Sequence, residues 1–160
     1  MFWKSLPSPV GVLILESNGT AITGLWMKTS RFLPEFVDRD YRSSLPVFRQ
    51  AENWLAAYFA GESLPALPPL RPAGSVFQKA VWEELLKIPY GKTATYGDIS
   101  ERLNDREISA SAQSVGGAVG HNPILILIPC HRVLGSRGAL GGYSGGLEAK
   151  KALLELEGSL

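Results

Sequence analysis

The sequence predicts an α+β protein with an antiparallel sheet in its N-terminal part and a helical C-terminal part. Three observations support this fold class. Apolar, β-branched runs occupy the first thirty residues, prolines cluster between positions 61 and 74, and apolar residues then recur at helical spacing. With 160 residues and 45% apolar content, the chain is long enough for one ordinary domain or two small ones.

The N-terminal elements are predicted to be a β-hairpin followed by a helix. Val10–Leu15 and Thr20–Met27 are apolar runs joined across Asn18-Gly19, which tolerates the positive φ of a tight turn. Apolar residues recur at helical spacing within Pro46–Ala60, and the glycine that follows is placed to end a helix. We interpret Gly61–Gly74 as a linker, because its prolines remove backbone donors and favour extended backbone.

The C-terminal part begins with two helix-start signals. Ser75 and Gln78 have the spacing of a capping box, and one apolar face then continues to Ile88. Thr95 and Asp98 repeat this spacing at the start of a short helix through residue 103.

The remaining elements are predicted from their composition. The small residues of Ser109–Gly120 indicate a second short helix, and two short helices across a tight connection suggest a helix-turn-helix. Beyond it we expect a strand at Ile124–Ile128, a glycine-rich loop or wing at Gly135–Gly146 and a last helix at Leu147–Glu157.

Composition and charge exclude several classes of protein. The chain has 16 Lys and Arg against 15 Asp and Glu, so any DNA binding must depend on local arrangement. No apolar run is long enough to span a bilayer and no secretory signal is visible, so a cytoplasmic location is expected. One cysteine and two histidines leave too few ligands for a structural zinc site.

Residues 128–133 read Ile-Pro-Cys-His-Arg-Val and set Cys130, the sole cysteine, beside His131. A soft sulfur nucleophile suits attack on saturated carbon, and a nearby base can supply the thiolate. Adjacent residues on a strand point to opposite faces, so His131 need not touch the sulfur, and a bridging water could relay the proton. From composition alone, a buried apolar cysteine is the commoner explanation. The wider pattern has to decide between the two.

That pattern resembles the O6-alkylguanine-DNA alkyltransferase family. The matching motifs are Asn-Pro at 122–123, Pro-Cys-His-Arg-Val at 129–133, Gly-Tyr-Ser-Gly-Gly at 142–146 and Glu-Leu-Glu-Gly at 155–158, together with Tyr-Gly at 90–91, Thr-Tyr at 95–96 and the helix at 114–119. The resemblance runs from about Phe77 to Gly158. It implies a ribonuclease-H-like α/β domain with its linker at 1–70, followed by a helical domain with a winged helix-turn-helix at 71–160.

The resemblance implies DNA repair by irreversible, single-turnover transfer of a methyl or other alkyl group to Cys130. The donor is O6-alkylguanine in double-stranded DNA, and O4-alkylthymine is a further expected donor. The family's proton relay falls on His131 and Glu157, with a water between the imidazole and the thiol. Asn122 matches the residue that braces the active-site turn through its amide.

The same resemblance assigns residues that hold the extruded lesion and the duplex. Tyr96, Tyr143, Ser144 and Val133 are expected to bind the flipped base, with Ser144 placed to hydrogen-bond the departing O6. The helix is expected in the minor groove, whose poor base code suits scanning of any sequence. The DNA-binding residues implied are Gln113, Ser114, Gly116, Gly117, Ala118 and Arg132.

The sequence departs from the family's usual pattern at Gln113, where most relatives have an arginine that fills the space left by the flipped base. Glutamine can still hydrogen-bond the orphaned cytosine, but it lacks the charge and planar surface of a guanidinium. The zinc ligands of some relatives are missing, since the first seventy residues contain no cysteine or histidine. We therefore expect no metal, and we expect no cofactor. We also expect the protein to be a monomer.

Three other functions compete with alkyl transfer. A non-catalytic protein that only marks lesions is disfavoured by Cys130, because that branch of the family lacks the acceptor cysteine. A cysteine hydrolase would also use a cysteine and a histidine, but it would turn over many substrates. A redox-sensing thiol is disfavoured because no second cysteine could resolve it.

Overall fold

The structure is a computed structural model that describes residues 1–35, 40–41 and 44–160, with only the backbone described at 40–41. It confirms a mixed α+β protein. Within these ranges, no helix has the length and apolar character needed to cross a membrane. The elements in chain order are β1 (Phe2–Leu6), β2 (Leu13–Ser17), β3 (Ile22–Met27), β4 (Asp40–Tyr41), α1 (Pro46–Ala60), α2 (Val76–Leu85), β5 (Ala94–Thr95), α3 (Tyr96–Asp105), α4 (Ala112–Gly120), β6 (Val133–Leu134) and α5 (Leu147–Leu156).

The first four strands form one sheet in the order β3-β2-β1-β4. β2 pairs antiparallel with β1 and β3, and β1 pairs parallel with β4. The predicted turn at Asn18-Gly19 is confirmed, and Asn18 Oδ1 accepts hydrogen bonds from the backbone of Thr20 and Ala21. The strand predicted at Val10–Leu15 begins only at residue 13, because a turn closed by Gly11 precedes it. Strands β1 and β4 were not predicted.

The helix α1 has the predicted bounds and packs its apolar face on the sheet. Gly61 ends it with a φ of 69°, a left-handed conformation that glycine adopts without steric cost. The predicted linker that follows is attached to the sheet. Ile22 N donates to Pro69 O and Arg71 N donates to Ile22 O, both at 2.8 Å, so the extended linker lies along the edge of β3.

The capping patterns of the C-terminal part are confirmed by side-chain hydrogen bonds. Ser75 caps α2, which ends at residue 85, and Thr95 caps α3. The helix predicted from residue 109 begins at residue 112, because Ser111 is its cap and accepts from the N–H of Ser114. Asn104 holds the connection between α3 and α4, since its amide both donates to and accepts from the backbone of Ala110 at 3.0 Å.

The strand predicted at Ile124–Ile128 is wrong. These residues form a series of turns, in which Ile128 N donates to Ile124 O at 3.1 Å and Ile126 has a φ of 67°. The apolar run is explained by burial, because each of its five side chains is at most 2% exposed. Only Ile124 forms an isolated bridge, to Leu25 of β3.

The loop predicted at Gly135–Gly146 contains a single turn of 3-10 helix at 136–138. It follows the short strand β6, which pairs in parallel with β5. The two halves of the chain are joined across β3, where Leu25 N donates to Pro123 O and Leu25 O accepts from Leu125 N, both at 2.9 Å. One cluster of buried apolar side chains continues through both halves. The site described below therefore stands on a shared core.

Candidate active site

Cys130 is the first residue of a 3-10 turn that follows the buried turns at 124–128. Its N–H donates to Ile128 O at 2.8 Å. Asn122 braces the turn from inside, since its Nδ2 donates to Ile128 O at 2.9 Å and its Oδ1 accepts from Ile124 N at 3.0 Å. Both functions of the buried amide are thus occupied, which fixes the backbone that carries the thiol.

The thiol of Cys130 is only 3% exposed. Burial raises the pKa of Cys130 to about 11, although the Asn122 amide and the charge of Lys150 oppose this rise. At neutral pH the sulfur is therefore a protonated thiol. A reaction that needs the thiolate requires a base nearby.

His131 lies next in the chain and is fully buried against Glu157. Its Nε2 is 2.5 Å from Glu157 Oε2. Although burial raises the pKa of Glu157, hydrogen bonds from His131 and Arg132 bring it down to about 2, so the carboxylate is ionised and can only accept. The hydrogen shared by the two groups therefore belongs to Nε2.

The second ring nitrogen of His131 is the basic one. Burial lowers the pKa of His131, the Glu157 carboxylate opposes this, and the ring is neutral at pH 7. Because Nε2 bears the hydrogen, Nδ1 keeps its lone pair. Among the residues that the structure describes, no group forms a hydrogen bond with this buried nitrogen.

Arg132 neutralises the other side of the Glu157 carboxylate. Its Nε lies 2.7 Å from Oε1 and its Nη2 lies 3.3 Å from Oε2, while Nη1 donates to Ile88 O at 2.7 Å. The N–H of Gly91 also donates to Oε1, at 3.1 Å. The prediction that Arg132 contacts DNA is wrong, because the buried guanidinium is committed to these partners and is not free for a phosphate.

Tyr58 of α1 is a further partner of Glu157 that sequence reasoning missed. Its hydroxyl donates to Glu157 Oε2 at 2.6 Å and lies 3.5 Å from His131 Nε2. The helical pattern placed Tyr58 on the buried face of α1. A buried tyrosine usually has a hydrogen-bond partner, so the sequence did indicate that Tyr58 would have one. It did not indicate which residue that partner would be.

A cavity of about 440 Å³ opens onto Cys130. Its wall includes most of the residues predicted to hold the base and three glycines of α4. The lining residues are Arg31, Phe32, Tyr96, Gly116, Gly117, Val119, Gly120, His121, Cys130, Gly142, Tyr143, Ser144 and Leu147. Val133 is not among these lining residues, and its place in the base pocket stays a prediction. It belongs to β6, and its side chain is fully buried.

The loop at 141–146 approaches the cavity so closely that two glycines are required. A Cβ on Gly145 would lie 2.6 Å from Met27 Sδ and 2.9 Å from the ring of Tyr143. A Cβ on Gly141, whose φ is 68°, would lie 2.9 Å from the hydroxyl of Tyr96. Glycine is therefore needed at these two positions, because a larger residue would collide with Tyr96 or Tyr143.

Lys150 of α5 holds this loop from behind and was also missed by sequence reasoning. Its buried Nζ donates to Val133 O at 2.8 Å, to Gly142 O at 3.1 Å and to Leu140 O. Burial lowers the pKa of Lys150 to about 8. The amphipathic pattern of α5 contains no signal for these contacts, because the acceptors are backbone carbonyls.

The N-terminal half contributes one edge of the cavity. Thr29 Oγ1 donates to Gly145 O at 3.1 Å, and Arg31 N donates to Ser144 O at 2.9 Å. The ring of Phe32 stacks on His121 with 4.5 Å between centroids. This short segment therefore connects the 141–146 loop to the C-terminal end of α4.

The helix α4 divides the predicted DNA-binding residues between two faces. Gln113, Ser114 and Gly117 are exposed, and Gly116 is half-buried at the cavity wall. Ala118 is buried, and its carbonyl accepts a hydrogen bond from Trp82 Nε1 at 2.9 Å. The prediction that Ala118 contacts DNA is wrong, because it lies on the face of α4 that packs into the core.

No set of three or more His, Cys, Asp and Glu side chains within the described ranges is placed to hold a metal ion.

Comparison with known proteins identifies relatives over nearly the whole chain. Residues 76–159 match the model for the DNA-binding domain of 6-O-methylguanine DNA methyltransferase. A methylated-DNA–protein-cysteine methyltransferase of Haemophilus influenzae is 41% identical over 158 residues, which are 98% of this chain and 86% of that protein. The corresponding protein of Methanosarcina acetivorans is 39% identical and covers 99% of each chain.

Solved structures of methyltransferases are also similar to this chain. The crystal structure of Mycobacterium tuberculosis OGT in complex with DNA is similar with a TM-score of 0.89 and 40% identity, over 99% of this chain and 94% of that one. The structure of an O6-methylguanine DNA methyltransferase from Methanococcus jannaschii has a TM-score of 0.65 and 30% identity, over 96% and 92%. The chain therefore belongs to the 6-O-methylguanine DNA methyltransferase family.

Proposed function

We propose that this protein repairs DNA by moving a methyl or other alkyl group from guanine O6 to Cys130, and from thymine O4 by the same chemistry. One observation carries the proposal: the sole cysteine opens onto a cavity of about 440 Å³ directly beside a buried His131–Glu157 pair. The family's relatives are named for this transfer.

The geometry supports a relay that removes the thiol proton. His131 Nδ1 is the free base, and a water between it and Cys130 passes the proton from sulfur to nitrogen. Glu157 then stabilises the imidazolium through the bond to Nε2 that is already formed. Because the pKa of Cys130 is raised to about 11, this step is what makes the sulfur a nucleophile.

In the transfer, a carbon–sulfur bond forms as the bond between the alkyl carbon and O6 breaks. The electron pair of the broken bond remains on the oxygen, and a proton from the protein or solvent leaves guanine neutral. Ser144 lines the cavity, and its hydroxyl can donate a hydrogen bond to this oxygen. The product on Cys130 is a thioether, which water does not hydrolyse, so each molecule reacts once.

The lesion must leave the duplex to reach the buried sulfur. We infer that α4 lies in the minor groove of double-stranded DNA, with Gln113 in the space left by the flipped base. The glycines at 116 and 117 connect this face of α4 to the cavity wall. Tyr96 and Tyr143, from the wall, hold the flipped base.

The architecture supports a division at the linker into domains at 1–70 and 71–160. The sheet order β3-β2-β1-β4, with β4 alone parallel to its neighbour, fits a ribonuclease-H-like first domain. The helices α3 and α4 form the proposed helix-turn-helix of the second, and the 135–146 loop takes the place of the wing. One copy of the chain contains all of these parts, so the working unit is a monomer.

Intact-mass analysis after incubation with a duplex containing O6-methylguanine tests the proposal. We expect one methyl group, on the peptide that contains Cys130, and no further uptake with excess duplex. Cys130→Ser should take up none while it still binds the duplex, because residue 130 lies in the cavity and not on the exposed face of α4. Repeated turnover would favour a cysteine hydrolase, and full uptake by Cys130→Ser would refute the assignment.

A further inference from the structure

We propose that Tyr58, contributed by the N-terminal half, is a positioning residue whose hydroxyl sets how strongly Glu157 stabilises a protonated His131. The inference rests on the proposed function, because it concerns the relay of that site. Tyr58 would be a third member beside the His131–Glu157 pair. It belongs to α1, which ends 70 residues before Cys130 in the chain.

Three donors surround one carboxylate oxygen, Glu157 Oε2, and Arg132 Nη2 is the most distant of them at 3.3 Å. Tyr58 Oη lies 2.6 Å from Glu157 Oε2, and His131 Nε2 lies 2.5 Å from the same atom. The hydroxyl is also 3.5 Å from Nε2, but that nitrogen bears a hydrogen and cannot accept. The phenol proton therefore points at the carboxylate. It competes with the imidazole for the negative charge of Oε2.

The ring of Tyr58 is fixed by packing. The residue is fully buried and stacks on Trp54 with 5.3 Å between centroids and 11° between planes. Tyr90 meets the same ring edge-on at 5.9 Å. Burial, followed by the hydrogen bond to Glu157, raises the pKa of Tyr58 far above its usual value. The hydroxyl is therefore a protonated donor at neutral pH.

The other groups around His131 determine the equilibrium between its neutral and protonated forms, and Tyr58 modifies that equilibrium. The positive charges of Arg132 and Lys150 disfavour the imidazolium, and burial acts in the same direction. Among the charged residues that the structure places around it, only Glu157 favours the imidazolium. Cys130 and Tyr143 face the site as a neutral thiol and a neutral phenol, since burial raises the pKa of both. A hydrogen bond that weakens Oε2 as an acceptor therefore acts on the one stabilising partner of the imidazolium.

The sign of the effect follows from this competition. Without the phenol proton, Oε2 carries more negative charge and stabilises the imidazolium more strongly, so the pKa of His131 rises. The acid limb of the transfer rate, where His131 becomes protonated and stops acting as a base, moves to higher pH. We expect an upward shift of about 0.5 to 1 pH unit for the loss of one charge-assisted hydrogen bond.

The test measures single-turnover reaction of Tyr58→Phe with free O6-benzylguanine from acid to neutral pH. This substrate needs no base flipping, so DNA binding does not enter the profile. The matched control is Trp54→Phe, which reduces packing on the same ring but leaves the hydroxyl in place. We expect the acid limb to shift in Tyr58→Phe and to remain in place in Trp54→Phe. Equal profiles in Tyr58→Phe and the parent, or equal shifts in both variants, would overturn the proposal.

Two further measurements make the result independent of the reaction. NMR titration of the two histidines gives the pKa of His131 without substrate, and exposed His121 serves as the internal reference. A 3,5-difluorotyrosine at position 58 is a stronger donor, so it should lower the pKa of His131 and shift the limb the opposite way. If the parent protein takes up no alkyl group, the proposed function fails. If the pKa of His131 is the same in Tyr58→Phe as in the parent, only the role of Tyr58 is refuted.

Discussion

Arg132 and Glu157 form a buried ion pair, with 2.7 Å between Nε and Oε1, the carboxylate oxygen that His131 does not contact. The charge of Glu157 is therefore already balanced when the imidazole is neutral. A histidine whose carboxylate partner has its own cation remains an uncharged base at neutral pH.

Removal of the base should make the reaction strongly pH-dependent. We expect His131→Ala to slow transfer by about 10²-fold at neutral pH, because the general base is lost. The remaining rate should then rise with pH toward the pKa of Cys130, about 11, as the thiolate forms unaided. The parent rate should be level over the same range, since its base is already unprotonated. Single-turnover rates between pH 7 and 9 give the comparison, and a level profile in His131→Ala would contradict the relay.

Acid should destabilise the protein through Glu157. Its folded pKa, about 2, is below its unfolded value near 4.5, so its contribution is complete above pH 4.5 and is lost as the pH falls toward 2. The lost contribution is on the order of 2 to 3 kcal/mol. Denaturant unfolding at a series of pH values should show a shallower acid dependence in Glu157→Gln. In Glu155→Gln, which changes an exposed carboxylate on the same helix, the parent dependence should persist.

Loss of Lys150 should release the loop over the cavity. We expect Lys150→Met to lower the free energy of unfolding by about 2 kcal/mol, because the backbone carbonyls of residues 133, 140 and 142 lose a charged donor. Transfer should slow as well, since the loop carries Tyr143 and Ser144. Lys151→Met is the matched control, as Lys151 is exposed on the same helix. Equal stability and equal protease resistance in the two variants would show that the loop does not depend on Lys150.

Gln113 should support extrusion of the base but not the chemistry. It is exposed on α4, away from the buried thiol, so Gln113→Ala should slow transfer from duplex DNA and leave reaction with free O6-benzylguanine unchanged. Gln113→Arg should speed the duplex reaction by restoring charge and a stacking surface. Measurement of both substrates with both variants separates the two steps. If Gln113→Ala reacted more slowly with both, the residue would belong to the fold or the cavity and its role beside the flipped base would be abandoned.

Much of the local structure could be predicted because its causes lie within a few residues. The capping residues Ser75 and Thr95 bond to the N–H three positions later, and Asn18 closes its own turn. Patterns of this range are visible in a sequence. Cys130 and His131 could be named for a related reason, since an unbroken motif around them resembles a known family, and that family assignment is confirmed.

The errors share a different cause. The apolar run at 124–128 fits a strand as well as it fits buried turns, and only the side chain of Asn122, bonded inside the turn, decides between them. Arg132 and Ala118 were assigned to DNA from their motif positions. The direction of each side chain was set by a partner elsewhere in the chain, Glu157 for the first and Trp82 on the opposing helix for the second.

The sequence by itself determined the fold class, the starts of most helices, and the cysteine and histidine of the proposed active site. Tertiary structure alone decided what surrounds them: that Tyr58 bonds a carboxylate 99 residues away, and that Lys150 binds backbone carbonyls of the cavity loop. The physical reason is that local hydrogen bonds are chosen by residues a few positions apart. A buried polar group, by contrast, must take whichever partner the packed core brings to it, and no spacing in the chain records that choice.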